Sequence, residues 1–281
     1  MSYNIRGKND GSWEGRTPAK VIETITDITP DIIGFQEDDA DWENYVAVLT
    51  GNGGSYYRLT GNDNGNEYLD IFYKKENFKE CSVTGTVLYK KLAKEYTNVS
   101  ADGADLNRDK KGDFSVELLG DKGRFFRYAV LETKDGVKVL VVNTHLHNGD
   151  SDADDLVRVY QMKLLCAWLA DMEEDYPNQI VIGDLNGTPS ELGRTLSDGG
   201  LTHARDTALV KGDVGGTLIN HDENEPDLFY KKRETWLYDY VLYKNVRALE
   251  YTVVDNKNDA NNTRYPSDHL PVIAKFICYA E

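Results

Sequence analysis

The sequence predicts an α/β protein in which two β-sheets pack face to face and helices cover their outer sides. Short apolar runs rich in Val, Ile, Tyr and Phe recur along most of the chain, whereas helical periodicity is clear in only a few places. These elements follow neither the regular alternation of an all-parallel sheet nor the pattern of a pure β-protein. Many strands with few helices therefore favour two packed sheets with the helices outside.

Each predicted strand is a short run of β-branched and aromatic residues bounded by polar or turn residues. The runs lie at residues 1–5, 31–36, 68–73, 125–132, 137–144, 179–182, 238–243, 249–254 and 271–277. Lys134-Asp135-Gly136 predicts a tight hairpin turn, and Lys244-Asn245 predicts a looser one.

The helices are predicted from apolar spacing and from capping signals. Thr17-Pro18 begins one that runs to about residue 26, and another covers residues 40–49. The segment 152–175 places apolar side chains at helical spacing. A short helix begins at Pro189 with Thr188 as its N-cap.

The chain is expected to form one domain over residues 1–281. Its hydrophobic content of 40% is enough for a substantial core. It has no Pro/Ser-rich linker, no shift in composition and no internal repeat. Nothing in the sequence implies a protein partner, so a monomer is expected. The polar segments are predicted to be long loops, at residues 94–113, 205–226 and 255–264.

The charge balance disfavours a large polyanion as a partner. Acidic residues outnumber basic ones by 48 to 32, which gives a formal net charge of -16. Affinity for nucleic acid depends on the neutralisation of phosphates by Lys and Arg, and the chain has no obvious basic stripe. A small phosphorylated substrate is therefore expected in preference to DNA, with Arg6, Arg127 and Arg264 as candidate cations near its phosphate.

The cysteines and the hydropathy give little information about the compartment. Cys81, Cys166 and Cys278 are too few and too scattered for a disulfide framework or a zinc site. No apolar stretch approaches the roughly 20 residues that a transmembrane helix requires. No signal peptide is visible, so the protein is expected to be either secreted or periplasmic after removal of a leader, or cytoplasmic.

Polar residues with catalytic potential stand at the ends of the apolar runs. Glu37, His145 and Asp184 closely follow predicted strands, and Asp268-His269 closely precedes the last one. Taken alone, each has a simpler explanation as a surface carboxylate, a turn residue or a structural histidine. Because the arrangement is repeated, however, it favours a metal-assisted phosphoester hydrolase, which requires carboxylates, amides and histidines in one site.

Asp239 differs from these residues because it lies inside a predicted strand, between Tyr238 and Tyr240. A carboxylate buried in such a strand costs free energy unless it has a partner. The sequence therefore predicts a partner for Asp239, and His269 is the natural candidate.

A series of segments between Ser2 and Val272 carries a resemblance to a known family. The segments are Ser2-Tyr3-Asn4-Ile5-Arg6-Gly7, Asp31-Ile32-Ile33-Gly34-Phe35-Gln36-Glu37, Asn143-Thr144-His145-Leu146, Gly183-Asp184-Leu185-Asn186, Asp239-Tyr240-Val241 and Ser267-Asp268-His269. In this order they resemble the motifs of the endonuclease/exonuclease/phosphatase superfamily, which includes DNase I and neutral sphingomyelinases. Arg158 and Gln161 also resemble the Arg-x-x-Gln helix of that family.

The resemblance implies a DNase I-like fold, a four-layer α/β sandwich of two packed mixed β-sheets flanked by helices. It also implies a Mg²⁺-dependent phosphoester hydrolase, either a phosphodiesterase or a phosphatase, with Mn²⁺ as an alternative cation. Glu37 would bind the cation, with Asn4 and Asp268 as direct or water-mediated contacts. Hard Mg²⁺ takes few carboxylates and leaves positions for phosphate and water, which agrees with this set.

The remaining roles concern the attacking water and the phosphoryl group. By the same resemblance, His269 would orient or deprotonate the water, and Asp239 would fix its tautomer. Asp184 and Asn186 would position the nucleophile and the phosphoryl group, and His145 would donate a hydrogen bond to a non-bridging phosphate oxygen. Either Asp184 or His269 can serve as the base, and the sequence does not choose between them.

Two departures from the family pattern concern substrate contacts. His147-Asn148 stands where many relatives carry Asp-His, and Leu237-Tyr238 stands where many carry a basic residue and Ile. The alternatives to a hydrolase of small phosphoesters are a DNA endonuclease or exonuclease of the same family and a non-catalytic binding module on the same fold. A binding module should have lost at least one of the core groups, and all of them are present.

Overall fold

The computed structural model describes residues 1–6, 18–38, 42–61, 68–99, 123–219, 236–256 and 265–280. These residues form two β-sheets that pack face to face, with helices on both outer sides. The predicted architecture of two packed sheets is confirmed. Among the helices in this part of the chain, none combines the length and the apolar character that crossing a bilayer requires.

The first sheet has seven strands and is mixed. In spatial order they are β10 (Val210–Lys211), β12 (Arg247–Val253), β13 (Val272–Ile277), β1 (Ser2–Asn4), β2 (Ile32–Gln36), β4 (Ile71–Lys74) and β3 (Tyr56–Leu59). The central strand β1 runs parallel to β2 and antiparallel to β13. The chain segment at residues 1–5 therefore lies in the middle of this sheet.

The second sheet has six strands and is also mixed. Their spatial order is β5 (Val83–Leu88), β6 (Phe125–Glu132), β7 (Lys138–His145), β8 (Gln179–Asp184), β11 (Asp239–Lys244) and β9 (Thr202–His203). Strands β7 and β8 are parallel, and the other neighbours are antiparallel. The run Val139-Leu140-Val141-Val142 is continuously apolar because β7 is buried on both of its faces.

The five longer helices cover the outer face of each sheet, and a sixth, of a single turn, contributes Ala204 to the cluster between the sheets. Their bounds are α1 (Pro18–Ile28), α2 (Glu43–Thr50), α3 (Tyr89–Glu95), α4 (Asp152–Asp171), α5 (Pro189–Asp198) and the single turn α6 (Ala204–Thr207). The side chains of α1 and α2 pack on the seven-stranded sheet, and those of α3, α4 and α5 pack on the six-stranded sheet. A third apolar cluster, which includes Ile71, Val141 and Ile182, fills the space between the sheets. The predicted four-layer sandwich is thus confirmed.

The local predictions are confirmed where the sequence signal was strong. The helix after Thr188 begins at Pro189, and the side chain of Glu191 accepts the backbone N–H of Thr188 in a capping box. The turn at Lys134-Asp135-Gly136 joins β6 to β7, and Gly136 adopts a φ of 91° there. All three cysteines are free thiols, and Cys166 is buried in the core as expected.

The prediction of a hairpin at Lys244-Asn245 is wrong. Strands β11 and β12 on either side of this turn belong to different sheets, so Asn245, with a φ of 56°, carries the chain from one sheet to the other. The short or partly exposed strands β3, β5, β9 and β10 and the helix α3 were not predicted, because little apolar periodicity marks them. The predicted strand 68–73 begins at Ile71, and the predicted helix 152–175 ends at Asp171.

Some predictions fall outside the described residues. Thr17, the first residues of the helix predicted at 40–49 and Arg264 are among them, as are parts of the loops predicted at 94–113, 205–226 and 255–264. Within the described parts of these loops, α3 continues to Glu95, α6 runs to Thr207 and β10 covers Val210–Lys211.

Replacement of Gly34 with alanine is expected to destabilise the contact between the two sheets. A Cβ at Gly34 would lie 2.5 Å from Cδ1 of Ile182 and 2.8 Å from Cγ of Asn143, both on the facing sheet. We expect a loss of about 1–3 kcal/mol in the free energy of unfolding, measured by urea denaturation. As the control, Gly193→Ala on α5 meets nothing within 4 Å and should be neutral or stabilising by up to about 1 kcal/mol. Equal stability of Gly34→Ala and wild type would contradict the close approach of the sheets.

Candidate active site

The predicted polar residues meet because strands of both sheets end at one place. Asn4 and Glu37 stand at the ends of β1 and β2, while His145 and Asp184 end the adjacent parallel strands β7 and β8. Asp239 begins the antiparallel strand β11 directly opposite Asp184. The site therefore lies at the edge where the two sheets face each other.

The side-chain amide of Asn4 joins the two sheets at this edge. Its Nδ2 donates to Oε1 of Glu37 at 2.9 Å and to Oδ2 of Asp184 at 2.9 Å. Its Oδ1 accepts the backbone N–H of Arg6 at 3.0 Å, which fixes the orientation of the amide. Asn4 is fully buried, so these bonds form in a region that water does not screen.

The carboxylate of Asp184 is the centre of the cluster. Its Oδ2 lies 3.6 Å from Nε2 of His145 and 3.6 Å from Nε2 of His269. Its Oδ1 accepts the backbone N–H of Asn186 at 2.8 Å, and Nδ2 of Asn186 donates to the backbone oxygen of Leu146 at 3.1 Å. Asn186 thus connects the segments that follow β8 and β7.

His269 and Asp239 form a buried pair on the other side of Asp184. The distance between Nδ1 of His269 and Oδ2 of Asp239 is 2.7 Å, so Asp239 has the partner that its burial predicts. Burial alone would lower the pKa of His269, but the carboxylates of Asp239 and Asp184 outweigh it and hold this pKa well above the ordinary value. The pairing also directs Nε2 of His269 towards Asp184.

Three residues at the site have a left-handed backbone conformation. Glu37 has a φ of 57°, Asn186 a φ of 49° and Arg6 a φ of 46°. Such values are uncommon for residues other than glycine, and they persist only where the surrounding structure holds them. Each of these residues lies just after a strand, where the turn brings its side chain or backbone to the site.

Asp268 occupies a different position from the other predicted metal contacts. Its Oδ2 forms an ion pair with Nη1 of Arg6 at 2.6 Å, and both side chains are partly exposed. The neighbouring Ser267 donates from Oγ to the backbone oxygen of Asn4 at 2.8 Å, which ties the segment before β13 to β1. Asp268 therefore borders the cluster, and its contact with a cation stays a prediction.

The arrangement is suited to a divalent cation. Among the described residues, two groups bring ligand atoms close enough to share an ion: Glu37, His145 and Asp184, and Asp184, Asp239 and His269. In the first group, the carboxylates of Glu37 and Asp184 both accept a hydrogen bond from the side-chain amide of Asn4. A hard cation such as Mg²⁺ prefers carboxylate oxygens as ligands. Glu37, the predicted metal ligand, belongs to this group.

A network around Arg158 fixes the loop after His145. The guanidinium of Arg158 donates to the backbone oxygens of His147 and Gly149 and to the carboxylates of Asp155 and Glu191. From the next turn of α4, Oε1 of Gln161 accepts the backbone N–H of His147 at 2.9 Å. This explains structurally why an Arg-x-x-Gln pair follows the histidine segment, since it joins α4 to the loops after β7 and β8.

The structure also shows contacts that sequence reasoning missed. Oγ1 of Thr217 accepts the backbone N–H of Asp239 at 3.1 Å, and no sequence signal marks Thr217. Arg127, a predicted phosphate contact, is buried and donates instead to the backbone oxygens of Gly61 and Tyr68. Of the two predicted cations in the described part of the chain, Arg6 lies beside the cluster and Arg127 does not contact it.

Comparisons with known proteins agree with the fold. The family model described as "Endonuclease/Exonuclease/phosphatase family" matches residues 1–269. A mannosyl-6-phosphatase from Bacteroides thetaiotaomicron VPI-5482 is similar, with a TM-score of 0.73, 20% identity and 98% of each chain covered. Truncated TDP2 from Caenorhabditis elegans is similar with a TM-score of 0.67 and 17% identity, covering 99% of this chain and 96% of that chain. No curated protein sequence matches this chain.

The pair formed by His269 and Asp239 is expected to act as one unit. His269→Ala should lower turnover of a phosphoester by roughly 10²–10⁴-fold with the fold intact, because it removes a group that moves a proton. If Asp239 acts only by holding His269, the double variant with Asp239→Asn should be little worse than His269→Ala alone. Steady-state kinetics of the four proteins test this, with circular dichroism as the check on folding. Multiplication of the two single losses would show that the residues act separately.

Proposed function

Since the chain belongs to the endonuclease/exonuclease/phosphatase family, whose members are hydrolases of phosphoester bonds, we propose that it is a Mg²⁺-dependent hydrolase of small phosphorylated substrates. The observation that carries the proposal is the position of Asp184. Its carboxylate lies between two histidines and shares the amide of Asn4 with Glu37. A site that requires both charge neutralisation and proton transfer needs these groups together.

The cation would be held by Glu37 together with Asp184. Asn4 keeps these two carboxylates together, and we propose Asn4 and Asp268 as its further direct or water-mediated contacts. Such a cation would supply positive charge that neutralises the phosphoryl group during its transfer.

Side chains of the protein would position the attacking water and the phosphoryl group. A water that hydrogen-bonds to Asp184 or to His269 lies within reach of the other, because their facing atoms are 3.6 Å apart. We propose that this pair accepts the proton of the water as the water oxygen bonds to phosphorus, while Asp239 holds His269 in place. The bond between phosphorus and the ester oxygen breaks in the same step, and the leaving group takes up a proton and departs as the alcohol. His145, on the other side of Asp184, would donate to a non-bridging phosphate oxygen.

The charges around the site favour a small substrate over DNA. A DNA strand brings several phosphates, each of which needs a nearby cation for tight binding. The arginines close to the site are already engaged: Arg6 pairs with Asp268, and Arg158 pairs with Asp155 and Glu191. With a net charge of -16, the protein would repel the additional phosphates.

Glu37→Gln is expected to weaken cation binding and to abolish most activity. The change removes one negative charge while keeping the size of the side chain, so Mg²⁺ affinity should fall by at least on the order of tenfold. Isothermal calorimetry with Mg²⁺ or Mn²⁺ measures this directly. Glu250→Gln serves as the control, because Glu250 is an exposed carboxylate on β12 that pairs with Lys275. Unchanged Mg²⁺ affinity of Glu37→Gln would exclude Glu37 from the metal site.

DNA is expected to be a poor substrate compared with small phosphoesters. Nicking of supercoiled plasmid and hydrolysis of small phosphoesters should be measured at equal enzyme and Mg²⁺ concentrations, with EDTA as the blank. We expect little nicking at catalytic enzyme levels, because the acidic protein offers few cations to the backbone phosphates. Efficient nicking that His269→Ala abolishes would instead identify a DNA nuclease.

A further inference from the structure

A pair of buried side-chain amides joins the two sheets next to the cluster. Gln36 ends β2 and Asn143 lies in β7, and neither side chain is exposed to solvent. Nε2 of Gln36 donates to Oδ1 of Asn143 at 2.6 Å. Nδ2 of Asn143 donates to the backbone oxygen of Phe35 at 2.6 Å and to that of Asp70 at 3.1 Å. This amide pair, Gln36 with Asn143, therefore connects β7 to β2 and to the residue before β4.

Net stability alone does not explain the amide pair. The neighbours of Asn143 on the same face of its sheet, Val141 and Ile182, belong to the apolar cluster between the sheets. An amide in such surroundings loses its hydrogen bonds to water, and replacement of both partners by apolar groups of the same shape can be nearly neutral for stability. The facing sheet also has a glycine here, since a Cβ at Gly34 would lie 2.9 Å from Oδ1 of Asn143.

The amide pair lies close in the chain to two candidate cation ligands. Glu37 directly follows Gln36 and leaves the strand with a φ of 57°. His145 ends β7 two residues after Asn143, so their side chains lie on the same face of that strand. The bond between the amides therefore couples the strand ends that carry Glu37 and His145. With Asp184, these two residues form the first of the two groups that can share an ion.

We propose that Asn143, acting through Gln36, is a positioning residue that sets the separation of Glu37 from His145 and so prepares the cation site. Gln36 is itself held in place, because its backbone oxygen accepts the N–H of Ile5 at 3.0 Å. Hydrogen bonds are directional and fix one register of the two sheets, whereas apolar side chains pack in several. The inference rests on the proposed function and deepens it, because it names what holds the cation ligands apart.

The test replaces the amides with apolar side chains of similar size. Gln36→Met, Asn143→Leu and the double variant are compared with wild type. Gln179→Met is the matched control, because Gln179 is also a fully buried amide, and its Nε2 donates to the backbone oxygens of Leu169 and Tyr176. Gln179 begins β8, whereas the cluster lies at the other end of that strand.

Three measurements are made on each protein. Urea denaturation gives the stability, and isothermal calorimetry gives the affinity for Mg²⁺ and Mn²⁺. Hydrolysis of para-nitrophenyl phosphate is followed as a function of Mg²⁺ concentration. A merely structural role of the amides would change the first measurement and leave the affinity of the folded protein for the cation unchanged.

The expected result is a loss of cation affinity that stability does not explain. Residues that support metal ligands contribute roughly 10–100-fold to metal affinity, so Gln36→Met and Asn143→Leu should each weaken Mg²⁺ binding by about tenfold. The double variant should bind Mg²⁺ no more weakly than Asn143→Leu, although its urea midpoint should lie nearer to that of wild type. Gln179→Met should lose stability but bind Mg²⁺ as tightly as wild type. The Mg²⁺ concentration for half-maximal hydrolysis should rise by the same factors.

Several outcomes would overturn the inference. They are wild-type Mg²⁺ affinity in Gln36→Met or in the double variant, an equal loss of affinity in Gln179→Met, and the absence of Mg²⁺ and Mn²⁺ binding in wild type. If Asn143→Leu does not fold, Gln36→Met decides, because it keeps the bonds of Asn143 to the facing backbone.

The calorimetry also separates the two proposals. If wild type binds Mg²⁺ and the amide variants lose this binding, but wild type hydrolyses no small phosphoester, the positioning role stands and the proposed hydrolysis fails. If wild type hydrolyses phosphoesters with Mg²⁺ and the amide variants keep the wild-type affinity, the proposed function stands and the positioning role fails.

Discussion

The site depends on one buried amide. Asn4 belongs to the seven-stranded sheet, and its Nδ2 donates both to Glu37 of the same sheet and to Asp184 of the facing sheet. Two carboxylates brought together in a region of low dielectric repel each other unless a donor or a cation lies between them. Asn4 supplies that donor, so the relative position of the two sheets and the distance between the two acidic groups are set by the same pair of hydrogen bonds.

Buried polar groups around the site are held by further hydrogen bonds. Asp239 has no exposure to solvent and faces His269, while Thr217 accepts its backbone N–H. Arg158 holds the loop after β7 through the backbone oxygens of His147 and Gly149. An unsatisfied buried polar group costs free energy, so each charge that the chemistry needs requires a second group to hold it. The candidate catalytic groups are therefore held in place by the protein itself, as the proposed attack on a phosphoester requires.

Different groups of residues determine the proposed reaction and the preference for a substrate. In the proposed function, the cluster around Asp184 serves one phosphoryl group and one cation. Around it, Arg6 and Arg158 are paired with carboxylates, and the rings of Trp236 and Tyr238 stack on each other just before Asp239. Members of a family can share the residues that act on the phosphoryl group and differ in the residues around them. The surrounding residues can vary because they contact only the part of the substrate that does not react.

The sequence by itself determined the elements and residue types whose signal is local. The continuous apolar run of β7 reports burial on both faces, Thr188 marks the start of α5, and the carboxylate of Asp239 inside a strand requires a partner. The order of the motifs gave the family and the set of candidate site residues. Only the tertiary structure decided that Asn4 bonds to Asp184, which lies 180 positions away, and that the turn at Asn245 changes sheets. Contacts of this kind cannot be predicted from the local pattern of apolar residues, because their partners lie on different sheets and meet only when the two sheets pack together.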